Sequence, residues 1–299
     1  MSKKNKLIGG TFIGITGFSA FLIIAVIILM LTIIIIGGKD RFSWEFLTSF
    51  PTDGMMKGGI FPALYGTALM VVVMSIAAVP FGTITAIYLT EYASEKSIIA
   101  QSIRFAVRTL ATVPSIIFGL FGLGFFIKFV GGSMDNIFLG GQLKWGQPNI
   151  LWASLTMALL TLPVVIVSVE EAIRTVPREL REASLALGAT KWQTITRVVL
   201  PGSVSGIMTG TILAVSRGAG EVAPILFTGA AYYLATLPGS LSEQFMNLGY
   251  HIYILSTQSS DVDKTLPIQF ATTMVLLMLT FMLNFTAVII RARIRRKSK

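Results

Sequence analysis

The sequence contains no cysteine and only one histidine, His251, in 299 residues. Disulfides, thiolate nucleophiles and thiolate-bound metals are thereby excluded, and a lone imidazole leaves too few ligands for zinc. No metal site and no cofactor are expected, and His251 is read as a loop residue. Charge is also scarce: Asp, Glu, Lys and Arg make up 13% of the chain, against roughly 25% in soluble domains. The pattern G-x-x-x-x-G-K-[ST] occurs nowhere, so ATP hydrolysis by a phosphate-cradling loop is not expected of this chain. No serine–histidine–carboxylate arrangement suggests itself either, so the chain is read as non-catalytic. What is abundant is apolar. Hydrophobic residues make up 54% of the chain and gather into runs of roughly 20 or more, the length a helix needs to cross a bilayer.

Those runs predict an all-α integral membrane protein with six transmembrane helices. They lie near Leu7–Ile36, Phe61–Leu89, Ala111–Val130, Ile150–Val169, Val204–Phe227 and Ile268–Ile290. The first run is far longer than the apolar stretch of a signal peptide, so an uncleaved span is expected. The stretch "SIIAQSIRFAVRTL" before the third span reads either as an interfacial helix or as an extension of that span. The net charge of +10 would suit nucleic acid, but its distribution points to topology instead. Seventeen Lys and Arg residues fall in the two tails and in the second and fourth connections; six fall in the other connections, and Arg217 completes the 24. The positive-inside rule then places both termini in the cytoplasm, and no nucleic-acid partner is expected. The chain divides into a tail and first span (1–36), an external loop (37–60) and a core (61–291). The core contains a cytoplasmic region over 170–201 and an external segment over 229–267. A basic tail (292–299) closes the chain. Within the external segment, "LSEQFMNLGYHIYILSTQ" reads as a packed or interfacial helix, serving as a cap or as a docking surface.

Within the spans, Pro114, Gly119, Gly122 and Gly124 open the third, and Gly218 and Gly220 punctuate the fifth. Small residues and proline there suit close helix packing or a moving, path-lining helix. In "LAVSRGAGEVAPILF", Arg217 and Glu221 stand four residues apart in an apolar run. On a helix they share a face and can pair. They are read either as a buried ion pair that locks the helix or as a charged patch on a translocation path. An arginine suits an oxyanion.

After the fourth span, "SVEEAIRTVPRELREASLALGATKWQTITRVVLPGSVSGIM" predicts short amphipathic helices, one starting after Pro177 and ending at Gly188, the next stopping at Pro201. Glu182, Ala183 and Ser184, then Gly188, Val198, Leu200 and Pro201, resemble the EAA motif of bacterial ABC importer permeases, with Ser184 and Val198 as size-conserving departures. The segments "TLATVPSIIFGLFGLGFF", "VPRELREASLALGATKWQTI" and "SRGAGEVAPILFTGAA" are similar to those of phosphate importer permeases, and the likeness runs from the second span to the last.

The resemblance implies an ABC importer permease (MetI-like) bundle in a bacterial cytoplasmic membrane. It also implies partners: a second homologous permease, two copies of a cytoplasmic P-loop ATPase and an external phosphate-binding protein, with phosphate as cargo. The EAA-like region would be the ATPase coupling region, with Glu182 as a polar contact and Gly188 allowing a turn. Arg217 and Glu221 would matter for transport. Another oxyanion such as molybdate or sulfate is the alternative cargo. A secondary transporter would need no coupling motif, and a membrane scaffold would not explain the paired charges.

Overall fold

The structure, a computed structural model, describes residues 3–94, 96–259 and 261–297. Part of the expected basic tail, Ser298 and Lys299, lies outside them. Among the described residues, six helices are long and apolar enough to cross a membrane: Thr11–Gly38, Phe61–Tyr92, Ser115–Phe138, Ile150–Arg174, Lys191–Gly218 and Val262–Arg293. An even number of crossings puts both termini on one side, called here the terminal side.

Helix α1 (Lys3–Gly38) leans on α12 (Val262–Lys297) only near its end, where Gly37 and Gly38 meet Phe270 and Ala271. From Thr11 to Met30 α1 is mostly apolar and exposed in this chain, as suits a helix facing lipid or another subunit. The first connection folds into α2 (Trp44–Thr48), N-capped by the Ser43 hydroxyl, and a small antiparallel hairpin, β1 (Pro51–Thr52) with β2 (Lys57–Gly58). Phe46, Met55 and Ile60 seat it on the bundle.

The centre of the molecule is α7 (Ile150–Arg174), flanked by α3 (Phe61–Ile87) and α10 (Leu200–Gly218). Met70, Met74, Met157, Ala158 and Val215 fill the core between them. Gly206 and Gly210 of α10 face Ala172 and Ser168 of α7, so the two backbones approach closely. The third crossing is broken. Helix α4 (Ile98–Thr112) ends before Val113 and Pro114, and α5 (Ser115–Phe121) continues through a π-helical stretch, Gly122–Gly131, into α6 (Gly132–Phe138). Ala100 and Val107 of α4 pack with Val165, Ile166 and Val169 of α7. The stretch "SIIAQSIRFAVRTL" is thus a separate helix packed on α7, broken from the third crossing at Val113–Pro114 and outside the candidate spans.

The fifth span differs from the sequence expectation at both ends. Pro201 does not stop a helix. Helix α9 (Lys191–Thr194) passes through a π-helical turn, Ile195–Val199, straight into α10. Pro201 thus lies inside a continuous helix, and the wider π-helical turn ahead of it makes room for its ring. At the other end the helix stops at Gly218 instead of running to Phe227. Pro224 explains this: inside a helix its ring would strike the carbonyl of Gly220, and Gly218 and Gly220 are poor helix formers.

Residues 219–247 then run irregularly. Such a segment is stable where its backbone groups find partners inside the protein. The N–H groups of Asn149, Ile150 and Leu151, at the start of α7, donate to the carbonyls of Thr228, Glu243 and Leu241 at 3.0, 2.9 and 3.1 Å. The chain re-enters a helix at α11 (Leu248–Thr257), where Leu248 N–H donates to Thr67 Oγ1 of α3 at 2.9 Å. The packed helix expected in this segment is α11. His251, however, is no loop residue: it sits in α11, 2% exposed. Burial pushes its pKa down to about 4, so the ring is neutral near neutral pH.

Candidate functional site

Three helix irregularities meet at one level of the bundle: the Val113–Pro114 break, Pro163 inside α7, and the end of α10 at Gly218. Together they line a cavity of about 280 Å³, with Ser115, Thr161, Pro163, Arg217, Gly218 and Glu221 among apolar neighbours; in this chain Arg217 is exposed and Glu221 half-buried. Its depth follows from packing. A methyl group on Gly218 would lie 2.9 Å from Thr161 Cγ2 and 3.1 Å from Met74 Sδ. Thr161 and Met74 stand halfway along α7 and α3. The cavity is therefore near the middle of the membrane, although Arg217 is in the last turn of its own helix.

This corrects the expectation for Arg217 and Glu221. Glu221 lies beyond the end of α10, so the two residues are not on one helical face. Their backbones form a turn, with Glu221 N–H donating to the Gly218 carbonyl at 3.2 Å. Among the described residues no ion pair joins Arg217 to Glu221, and neither side chain has another charged partner. Both charges instead open onto the same cavity. The Thr161 hydroxyl is committed to the carbonyls of Met157 and Ala158, at 3.0 and 3.1 Å.

The glycines divide. Gly119 faces the carbonyls of Ala223 and Pro224, and Gly122 faces Thr156 and Thr228, so both let the third crossing touch the irregular segment. Gly124 and Gly220 have no such neighbour among the described residues: nothing lies within 4 Å of a methyl on Gly124, and only the Arg217 carbonyl, at 3.8 Å, near one on Gly220. Pro114 caps the start of α5.

On the terminal side, α8 (Arg178–Ala186) follows Pro177 and buries none of its residues. Gly188, at φ +84°, reverses the chain. Gly188 N–H donates to the Leu185 carbonyl at 2.9 Å and Ala189 N–H to the Ser184 carbonyl at 3.2 Å, the paired bonds of a glycine-terminated helix. Thr190 and Gln193 then cap α9 reciprocally. Glu182, Ala183 and Gly188 are exposed, Val198 and Leu200 half-buried and Pro201 exposed. The Ser184 hydroxyl meets Thr194 Oγ1 at 2.9 Å, which ties α8 to α9. Leu187, 90% exposed, and Trp192 stand out from the surface beside them.

Sequence reasoning counted Arg104 and Arg181 only as topology signals. In the structure they are anchors. Arg181 donates to Glu91 Oε1 through Nε and Nη2, at 3.1 and 2.9 Å, and to the carbonyls of Val176 and Ile173 at the end of α7. Glu91 lies in the π-helical turn Tyr88–Tyr92 that ends the second crossing. Lys191 Nζ stands 5.1 Å from the centre of the Tyr92 ring. Arg104 pairs with Glu170 at 2.9 Å and donates to the Leu89 carbonyl at 2.8 Å. Helix α8 is thus held to the end of the second crossing and to α7, while α9 leads directly into the helix that carries Arg217 in its last turn. Their partners stand 66 and 90 residues away in sequence, so no local spacing marks them.

A family model described as "Binding-protein-dependent transport system inner membrane component" matches residues 78–296. The chain belongs to that family of permeases. The match takes in everything from the second half of α3 to α12 and leaves α1, the least embedded helix, outside. This permease is 30% identical over 261 residues to the "Probable ABC transporter permease protein YqgI" of Bacillus subtilis, covering 84% of each chain. It is 39% identical over 217 residues to the "Phosphate transport system permease protein PstA" of Mycobacterium leprae, covering 70% of this chain and 65% of that one. The protein of the same name from Yersinia pestis is 37% identical over 210 residues, 70% of this chain and 62% of that one. In fold the permease resembles a bacterial alginate ABC transporter chain, with a TM-score of 0.64 over 95% of this chain and 93% of that one at 17% identity. A chain of the MetNI methionine ABC transporter gives 0.59 over 78% and 94% at 19% identity.

Proposed function

We propose that this permease forms half of the translocation path of an ATP-driven phosphate importer. A second homologous permease forms the other half, two copies of a cytoplasmic P-loop ATPase bind the region over 170–201, and an external phosphate-binding protein delivers the cargo. The observation that carries this reading is the mid-membrane cavity in which an unpaired arginine is presented by broken helices. Intramembrane charge of this kind marks a transport path, and discontinuous helices recur where transporters bind substrate near the midplane. The likeness to proteins named as phosphate permeases supports phosphate over other oxyanions. The exposed face of α8 with Gly188, Leu187 and Trp192 suits docking of the ATPase, and Arg181 and α9 give that contact a mechanical route to the cavity. The permease itself performs no chemistry in this scheme; the ATPase hydrolyses ATP.

The test is uptake of radiolabelled phosphate into proteoliposomes holding both permeases and the ATPase, with the external binding protein and internal ATP. Uptake that needs all four components and is not displaced by excess molybdate or sulfate is expected. Uptake of either of those anions in place of phosphate would redirect the assignment.

Orientation rests on the unequal distribution of basic residues. Cysteines placed at Ser2 and Lys299 should escape an impermeant thiol reagent applied to intact cells, while one at exposed Thr236 should react. Labelling of either terminus from outside would invert the topology.

A further inference from the structure

Arg217 explains why the cavity attracts an anion, but it does not explain Glu221. A carboxylate lining the same 280 Å³ space repels every anion that enters it. The usual excuse for such a residue, neutralising its neighbour, does not apply, because no ion pair joins Glu221 to Arg217 among the described residues. The carboxylate also takes no side-chain hydrogen bond there, and it is the only acidic group on the cavity wall.

An ionised carboxylate accepts hydrogen bonds and donates none. A ligand that turns a donor toward it is held, and one that offers only charged oxygens is rejected. Phosphate near neutral pH keeps at least one P–OH group in both of its common ionic forms. Sulfate and molybdate are then fully deprotonated and have no hydroxyl to offer. Arg217 favours all three alike, through charge-assisted bonds to their oxygens. Discrimination must therefore come from a group that penalises the wrong ligand, and Glu221 is placed to do that.

We infer that Glu221 is a specificity-determining residue: its carboxylate accepts the hydrogen bond of a protonated phosphate oxygen while Arg217 holds the ionised ones, so the cavity passes phosphate and turns away oxyanions without a hydroxyl. This rests on the phosphate-path reading above and adds a selectivity step inside the membrane, separate from any selection by the external binding protein.

The experiment leaves the binding protein out. The complex of both permeases and the ATPase, in lipid nanodiscs, is equilibrated with radiolabelled inorganic phosphate at millimolar concentration, and sulfate is added as competitor. In the wild type, sulfate should compete at least roughly tenfold less well than unlabelled phosphate, the scale of one hydrogen bond to a charged group. Glu221→Gln should bring sulfate to within about threefold of phosphate, because the amide no longer repels it and can donate to it; Glu221→Asp should keep most of the preference. An unchanged preference in Glu221→Gln, or none in the wild type, would overturn the inference. Arg217→Gln serves as the separate control. Phosphate retained as well by Arg217→Gln as by the wild type would count against the path reading itself, whatever Glu221 does.

Discussion

Arg217→Gln is expected to stop phosphate uptake, and adding Glu221→Gln is not expected to restore it. The geometry supplies the reason. Had the two residues formed a buried ion pair, removing one would strand the other at a cost of about 3–5 kcal/mol, and removing both would relieve it. They form no such pair; α10 ends between them, and both line the cavity. Losing the guanidinium removes charge-assisted hydrogen bonds to the passing anion, each worth roughly 1.5–3 kcal/mol. The expected loss is about 10- to 100-fold per bond in uptake per assembled complex. Assembly, followed by co-purification of the ATPase, should stay at wild-type level in both single variants and in the double variant. Binding-protein-stimulated ATP hydrolysis should persist without uptake in Arg217→Gln, which would locate the defect in the path. Near-wild-type uptake by the double variant would exclude a path role and leave a structural one.

The same residues show what the sequence could and could not reveal. Apolar runs of bilayer length brought out all six crossings, because a spanning helix must be apolar almost throughout. The spacing from Glu182 to Pro201 marked the α8–α9 region, because a glycine-ended helix followed by a capped one is written in local residue order. The course of the fifth span was harder to read. Hydrophobicity continues smoothly through Ile225 and Phe227, so the run looks helical to its end, and only Pro224 behind two glycines signals the break. Arg217 and Glu221 were visible as costly charges, yet their relation was misjudged, since four-residue spacing implies a shared face only where the helix persists. The anchors Arg181–Glu91 and Arg104–Glu170 were hidden for another reason: each joins segments far apart in the chain, and a single sequence carries no record of which distant charges meet. Ser115 and Thr161 became part of the site only when the broken helices were brought to one level.

Gly188→Arg is expected to disconnect transport from ATP hydrolysis while leaving the membrane bundle folded. Gly188 follows α8 at φ +84°, and among the described residues nothing lies within 4 Å of a Cβ placed there. Two effects follow from the substitution, and they differ in size. The left-handed backbone conformation costs a residue with a Cβ about 1–2 kcal/mol, enough to loosen the turn but not to unfold a bundle whose core lies elsewhere, among Met70, Met157 and Val215. The larger effect falls on the partner. A long cation would project from an exposed turn beside Leu187, into the surface proposed to seat the ATPase, where bulk and an unpaired charge are both costly. Gly188→Asn separates the two contributions, because asparagine tolerates the left-handed conformation. If backbone strain dominated, asparagine would behave like glycine; if the contact dominates, it should fall between glycine and arginine. The measurements are retention of the ATPase during purification, hydrolysis stimulated by the binding protein, and thermal stability of the permease pair alone. Gly188→Arg should lose most of the first two, by about tenfold or more, and lower the third by only a few degrees. Wild-type retention and stimulated hydrolysis in Gly188→Arg would remove the turn after α8 from the coupling surface. A collapse of stability in the permease pair would instead show that the turn holds the fold together.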